Sequence, residues 1–415
     1  MYSGAFAFLV FVNPFIFGRV FWGLDVISLF FISVALTVLL MYRGCFELKI
    51  SKPKFYLFII TSVYFISSSV IRISAGQHFG ELSIHIYQYI SVLALLCLRL
   101  DERNVEMIYR SVLVALVLHV WTIMPILPLN DFLVNRLSLI TAYGAGEYSI
   151  GGLTRRATGF FPSPGYLSLF SSVAFVVGVF LTITRPSFRN VSIIFFACIA
   201  GFSAFSRTFL VIFCLVILYL FSISHLRSRF KLFFLALLVP IGMFFTSTSI
   251  YNDYFEFVGE RLVNSTNIAS NDRVSGETGV IMTYASIESS PFLGSAVSHD
   301  GGDVKAEING IVVRPHFGLL AIIAFYGLIT SGGLVLLCVW MLFRAIYLLV
   351  FKEKMIACVL DPSPFLAGYT VAFLICIAEP LIDTNITLTF LILSFLLISN
   401  ANSNKIRIRS DDTRH

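Results

Sequence analysis

Residues 164–184 read PGYLSLFSSVAFVVGVFLTIT, and this stretch decides the fold class. It carries no charged side chain, and as a helix it covers the roughly 30 Å hydrocarbon core of a bilayer. A short basic connection, 185–190, follows it with Arg185 and Arg189. Similar runs recur along the whole 415-residue chain. Mean hydropathy is +0.89 and 13% of residues are charged, against about 25% in a soluble globular protein. A β-barrel would show short segments of alternating polarity instead. The fold class is therefore an all-α polytopic membrane protein, with 1–415 forming a single integral membrane domain.

Outward from that run, about twelve transmembrane helices are predicted, at 4–18, 20–42, 55–73, 83–100, 107–129, 164–184, 191–205, 208–224, 232–250, 329–350, 363–381 and 386–400. The first basic residue is Arg19, so no basic region precedes the N-terminal apolar run. A signal peptide needs one, and the start reads as a retained first helix. Alternate connections, at 43–54, 99–106, 185–190, 225–231, 351–362 and the tail 401–415, carry with their flanks nineteen of the 29 Lys and Arg. The positive-inside rule places those connections and both termini in the cytoplasm.

Two outer segments are long: a first outer loop at 130–163, and a large outer loop at 251–328 before the tenth span. Loops of this length in a compact protein are usually functional or disordered. The second contains apolar stretches such as 279–293, which predicts a partly folded segment. Residues 316–326 are expected to form a short helix before the chain descends at Gly327.

The large loop ends in Arg314-Pro315-His316-Phe317, where polar sequence meets an apolar run. Of the ten outer basic residues nine are arginine, with Lys305 the exception. Arginine's planar fork suits phosphate, since it binds two oxygens at once. Arg155, Arg156, Arg207 and Arg314 all sit where a loop meets a helix. Each taken singly could pair with an outer acid or a lipid headgroup. Four of them, from distant parts of the chain, favour a shared anion site.

His316 has a side chain that exchanges a proton near neutral pH, as a general base must. The bland alternative is an interfacial histidine bonded to a backbone carbonyl. His299 is the second histidine candidate. Glu379 and Asp383 lie in an outer turn, where pairing with an arginine is the favoured role. Asp25 and His119 fall within or near spans, and intramembrane ionisable groups are functional candidates by default. No phosphate loop ending in Gly-Lys-Ser/Thr and no HExxH is present. The seven cysteines are scattered without paired spacing, so neither a disulfide framework nor a metal site is expected.

At these residues the chain resembles the O-antigen ligase and O-antigen polymerase superfamily of bacterial envelope enzymes. Arg156-Ala157-Thr158-Gly159-Phe160-Phe161, followed by Pro162-Ser163-Pro164, is similar to the superfamily's Arg-x-Thr-Gly-aromatic element. Phe205-Ser206-Arg207-Thr208 is similar to its Ser-Arg-Ser/Thr turn between two spans. His316, with Gly327 eleven residues on and Thr330 three further, has the spacing of the ligase pattern. Phe317 replaces that pattern's small polar residue, and Gly165 stands where Asn is usual. Both departures favour the polymerase branch.

The resemblance implies a glycosyltransferase of GT-C-like architecture in the bacterial inner membrane, acting at the periplasmic face. Its donor would be an oligosaccharide on undecaprenyl pyrophosphate. A polymerase moves the growing glycan onto a new lipid-linked repeat unit, whereas a ligase moves the finished chain onto lipid A core. His316 would be the general base, with Arg314 beside it in the catalytic pair. Arg155, Arg156, Arg207 and Arg314 would hold the pyrophosphate. No metal, other cofactor or nucleic acid is implied. A flippase and a chain-length regulator would be the protein partners. An anion or solute transporter with outer arginines is the reading from a different class.

Overall fold

The computed structural model describes residues 2–7, 9, 26–46, 51–78, 82, 89, 92–99, 102–123, 164–184, 186–204, 207–222, 280–297, 305–308, 311–313, 318–351 and 391–396. Nine helices lie among them, besides the helical residues 92–96 and 391–396. They are α1 (Tyr2–Ala7), α2 (Val26–Tyr42), α3 (Lys52–Ser74), α4 (Glu102–Ile123), α5 (Pro164–Thr184), α6 (Phe188–Ser203), α7 (Arg207–Ser222), α8 (Val280–Ser289) and α9 (Gly318–Phe351). A small antiparallel sheet, β1 (Ala296–Val297), β2 (Lys305–Ile308) and β3 (Ile311–Val313), sits between α8 and α9.

Among the described residues, four helical stretches are long and apolar enough to cross a membrane: Lys52–Ser74, Arg103–Trp121, Gly165–Ile183 and Gly318–Tyr347. Two shorter apolar helical stretches, Phe188–Ser203 and Phe209–Leu218, accompany them. The fold is thus that of a mostly helical membrane protein. Predicted spans 232–250 and 363–381 lie outside the described residues, as do half of 83–100 and most of 4–18 and 386–400.

Helix α3 shows the inverted polarity that a bilayer imposes. Its exposed ridge is Tyr56, Ile59, Val63, Ile66, Val70 and Ile73, spaced three and four apart. Its buried face includes Thr61, Ser68 and Arg72. Thr61 and Ser68 return their hydroxyl protons to Leu57 and Phe65 carbonyls within the helix. Apolar outside and satisfied polar groups inside is the arrangement hydrocarbon solvent requires.

Helix α5, with bounds equal to the predicted 164–184, is the central element and is buried almost all round. It packs chiefly on α6, which also meets α4, while α5 meets α7 as well. Small residues permit the closest approaches. A Cβ on Gly178 would stand 2.9 Å from Ile194 Cγ1, and one on Gly201 would stand 2.3 Å from the Phe209 ring. That ring belongs to a cluster with Phe175, Phe202 and Phe213. Gly201→Ala should therefore lower stability by about 1–3 kcal/mol through overpacking. A thermal melt of the detergent-purified protein would show it.

Three of the basic connections gather at one end of the bundle. Arg99 N–H donates to the Cys45 carbonyl at 2.9 Å, and Lys54 Nζ donates to the Leu98 carbonyl at 2.5 Å. Asn104 Nδ2 bridges to the Arg99 carbonyl at 2.9 Å. Arg189 reaches Glu106 at 3.4 Å, and Glu106 also holds Arg110 at 2.8 Å. Loops 43–54, 99–106 and 185–190 therefore share a side, as the alternation of basic connections demands.

Candidate functional site

The distinctive local geometry is a break inside α9 at Gly327, whose φ is 69° and ψ 172°. Only glycine adopts such a backbone without strain. In an unbroken helix the Ala324 carbonyl would accept from Leu328 N–H. The break separates this pair, and each half takes a partner in the segment 291–295. Ser295 N–H donates to the Ala324 carbonyl at 3.0 Å. Leu328 N–H donates to the Pro291 carbonyl at 2.9 Å, and Ile329 N–H to the Phe292 carbonyl at 3.2 Å. The strap of the large loop thus occupies the opened turn and satisfies groups that hydrocarbon could not.

Two glycines make this interlock possible. A Cβ on Gly327 would stand 2.2 Å from the Phe292 carbonyl oxygen, and one on Gly294 would stand 2.2 Å from that of Phe325. Gly294 also has a positive φ, 78°. Both obstacles are backbone atoms, which cannot rotate aside as a side chain can.

Ser295 joins three elements. Its hydroxyl lies 2.7 Å from that of Ser286 on α8 and 3.2 Å from the Ala324 carbonyl in α9. Its own carbonyl accepts from Glu307 N–H of β2 at 2.9 Å. Ser295→Ala removes the two side-chain contacts, one of them to a buried hydroxyl. A stability loss of about 1–3 kcal/mol is expected, read from the melting midpoint.

The sheet packs against α9 through β1 and β2. Ala296 pairs with Ala306, and Ala306 pairs with Val313. Ile308 opposes Ile311, leaving Asn309-Gly310 as the two-residue connection, a pair favoured in tight hairpins. From the interlock at Gly294 the chain runs through β1, β2 and β3 to Val313. Helix α9 starts at Gly318, and its first turns lead to the interlock at Gly327. Arg314, Pro315, His316 and Phe317 lie outside the described residues. Both of their neighbours, Val313 and Gly318, belong to this anchored circuit.

A buried cation stands beside it. Arg72, at the end of α3, is 8% exposed. Its guanidinium lies 5.7 Å from the centre of the Tyr326 ring, and its Nη1 donates to Gln77 Oε1 at 3.2 Å. Tyr326 precedes the break, is fully buried, and meets Tyr64 edge-on at 5.9 Å. Arg72 stands outside the set Arg155, Arg156, Arg207 and Arg314 that the sequence singles out. Its place at the end of an apolar run, before Ala75-Gly76-Gln77, is the signal that could have singled it out.

Of the other sequence candidates, Arg207 is the first residue of α7. The α6–α7 connection spans three residues, so the C-terminus of α6, Arg207 and the N-terminal half of α5 lie towards one end of the trio. Arg155 and Arg156 lie outside the described residues, just ahead of that half of α5. Asp25, His299, Glu379 and Asp383 also lie outside them. His119 is buried in α4 against Phe170 of α5, with ring centres 5.4 Å apart. Among the described residues no cluster of three His, Cys, Asp or Glu side chains could hold a metal ion.

Fold and site together define a class: a helical membrane protein whose segment 291–295 is stitched into a broken apolar helix. Comparison with protein-family models, with curated proteins and with solved structures returned no match.

Proposed function

We propose that this chain is a polysaccharide polymerase of the bacterial inner membrane, with twelve spans, a GT-C-like architecture and a periplasmic active site. It transfers a growing glycan from undecaprenyl pyrophosphate onto a lipid-linked repeat unit. The observation that carries the reading is the break at Gly327. This is the glycine whose distance from His316 matches the superfamily pattern, and its backbone conformation supplies a physical reason for glycine there. The circuit closed by Gly294 and Gly327 fixes both flanks of the segment that holds Arg314 and His316.

In this reading His316 removes the proton from the acceptor hydroxyl as that oxygen attacks the anomeric carbon. The bond to pyrophosphate breaks in the same displacement, inverting that carbon. Arg156, Arg207 and Arg314, with Arg155 close by, stabilise the charge that grows on the leaving pyrophosphate. Arg72 adds a buried positive charge beside the break. A flippase delivers the lipid-linked units and a chain-length regulator acts on the product.

The test is the ladder of polymer lengths on gels after Arg156→Lys, Arg207→Lys and Arg314→Lys. Lysine keeps the charge but loses the two-pronged contact. Each change is expected to shorten or deplete the ladder strongly. Normal ladders from all three, at normal protein levels, would remove the pyrophosphate clamp from the account.

A further inference from the structure

A second feature lies at the far end of the α3–α9 pair. The two helices run antiparallel: Tyr64 meets Tyr326, and a Cβ on Gly333 would stand 3.2 Å from Ile60 Cγ2. From the break at Gly327 to Arg344 the helix advances about 25 Å. There a groove of about 550 Å³ opens between α3, α9 and the helical residues 391–396. Its walls are apolar and include Tyr56, Ile60, Leu337, Trp340 and Phe395. Among the described residues, the charged ones lining it are Lys52 and Arg344.

The charges are not scattered along the groove. Lys52 begins α3, and Ile60 lies about 12 Å further along it. Because the helices are antiparallel, Arg344 stands level with the start of α3 and Leu337 lies deeper. The groove therefore has two cations at one end and an apolar channel leading away from them. That end is the one where Lys54, Arg99 and Arg189 also gather. Exposed apolar side chains of α3 and α9 flank it, among them Tyr56 and Leu336. Charge and polarity together match an amphiphile with an anionic head and a hydrocarbon tail. Basic pockets between membrane helices bind anionic headgroups in this way.

We propose that this groove is a binding site for an anionic diacyl phospholipid, with the headgroup phosphate between Lys52 and Arg344 and an acyl chain along Trp340. The site is separate from the candidate active site and does not depend on the polymerase reading. Each cation is expected to contribute about a fivefold preference for an anionic over a zwitterionic lipid. The two together give a preference on the order of twentyfold.

Trp340 is one of three tryptophans and reports on the groove directly. The full chain would be placed in phosphatidylcholine vesicles holding a small fraction of lipid brominated on the acyl chain. Brominated phosphatidylglycerol should quench tryptophan fluorescence more than the same fraction of brominated phosphatidylcholine. That excess should vanish in Trp340→Phe. It should fall about fivefold in Lys52→Gln or Arg344→Gln, and persist in Lys52→Arg and Arg344→Lys. Equal quenching by the two lipids would overturn the proposal, as would an excess that survives in Trp340→Phe or is lost in the charge-conserving variants. Relief by inorganic phosphate would assign a free-anion site instead. Displacement by unlabelled undecaprenyl phosphate at lower concentration than by phosphatidylglycerol would assign a prenyl lipid instead.

Discussion

Gly327→Ala is expected to release the strap 291–295 from α9 and to abolish polymer formation. Two effects combine. The dihedral angles alone cost a residue with a side chain about 1–3 kcal/mol. The new methyl would also stand 2.2 Å from the Phe292 carbonyl oxygen, so strap and helix have to separate. Leu328 and Ile329 N–H and the Ala324 carbonyl then lose their partners beside hydrocarbon, at about 1–3 kcal/mol for each buried group. Gly294→Ala attacks the same contact from the other side. The double variant should therefore be little worse than either single one, as expected for two residues sharing one contact.

Gly332 supplies the internal control. It lies in the same helix, and a Cβ there would meet nothing within 4 Å. Gly332→Ala should be neutral or slightly stabilising, because alanine is the better helix former. Protease sensitivity of the large loop in native membranes would separate the cases. Residues 280–313 should become cleavable in Gly327→Ala and Gly294→Ala and stay resistant in Gly332→Ala. A resistant loop in Gly327→Ala would contradict the interlock.

His316→Ala is the second large effect. A well-placed general base contributes about a hundred- to ten-thousand-fold to rate. Polymer output should therefore fall by at least about a hundredfold while the protein remains stably inserted. The two experiments are distinguishable. Loss through His316→Ala leaves the loop protease-resistant and the melting midpoint unchanged, whereas loss through Gly327→Ala changes both. Normal ladders from stably expressed His316→Ala protein would remove this histidine from the chemistry and leave the interlock standing as architecture alone.

Much of the helical framework was legible because it depends on local composition. The bounds of α5 coincide with the apolar run at 164–184, since Pro164 opens it and Arg185-Pro186 close it. The separation of 316–326 from the following span was legible in the glycine at 327, where the helix is broken. The apolar stretch 279–293 predicted order within the large loop, and α8 occupies Val280–Ser289.

Other features were hidden because they depend on contacts distant in sequence. Strands of two to four residues carry too little alternation to be read. Gly294 stands in no sequence motif. Its role exists only because Phe325 approaches it. Arg72 gained meaning from Tyr326, which no spacing rule connects to it. The junction arginines were legible as residue types, but convergence is a property of the fold and not of the motif. In the sequence Lys52 and Arg344 count only among the Lys and Arg of the basic connections and their flanks. Their shared groove required the antiparallel pairing of α3 and α9.

The most direct measurement of the central claim is the identity of the lipid-linked intermediates in cells lacking this chain. Extraction of undecaprenyl-pyrophosphate-linked glycans and sizing by mass spectrometry would give it. The polymerase reading predicts that single repeat units accumulate and that long polymer disappears from both lipid carrier and cell surface. Long polymer accumulating on undecaprenyl pyrophosphate would contradict it and indicate a ligase, and unchanged glycans with altered solute uptake would indicate a transporter.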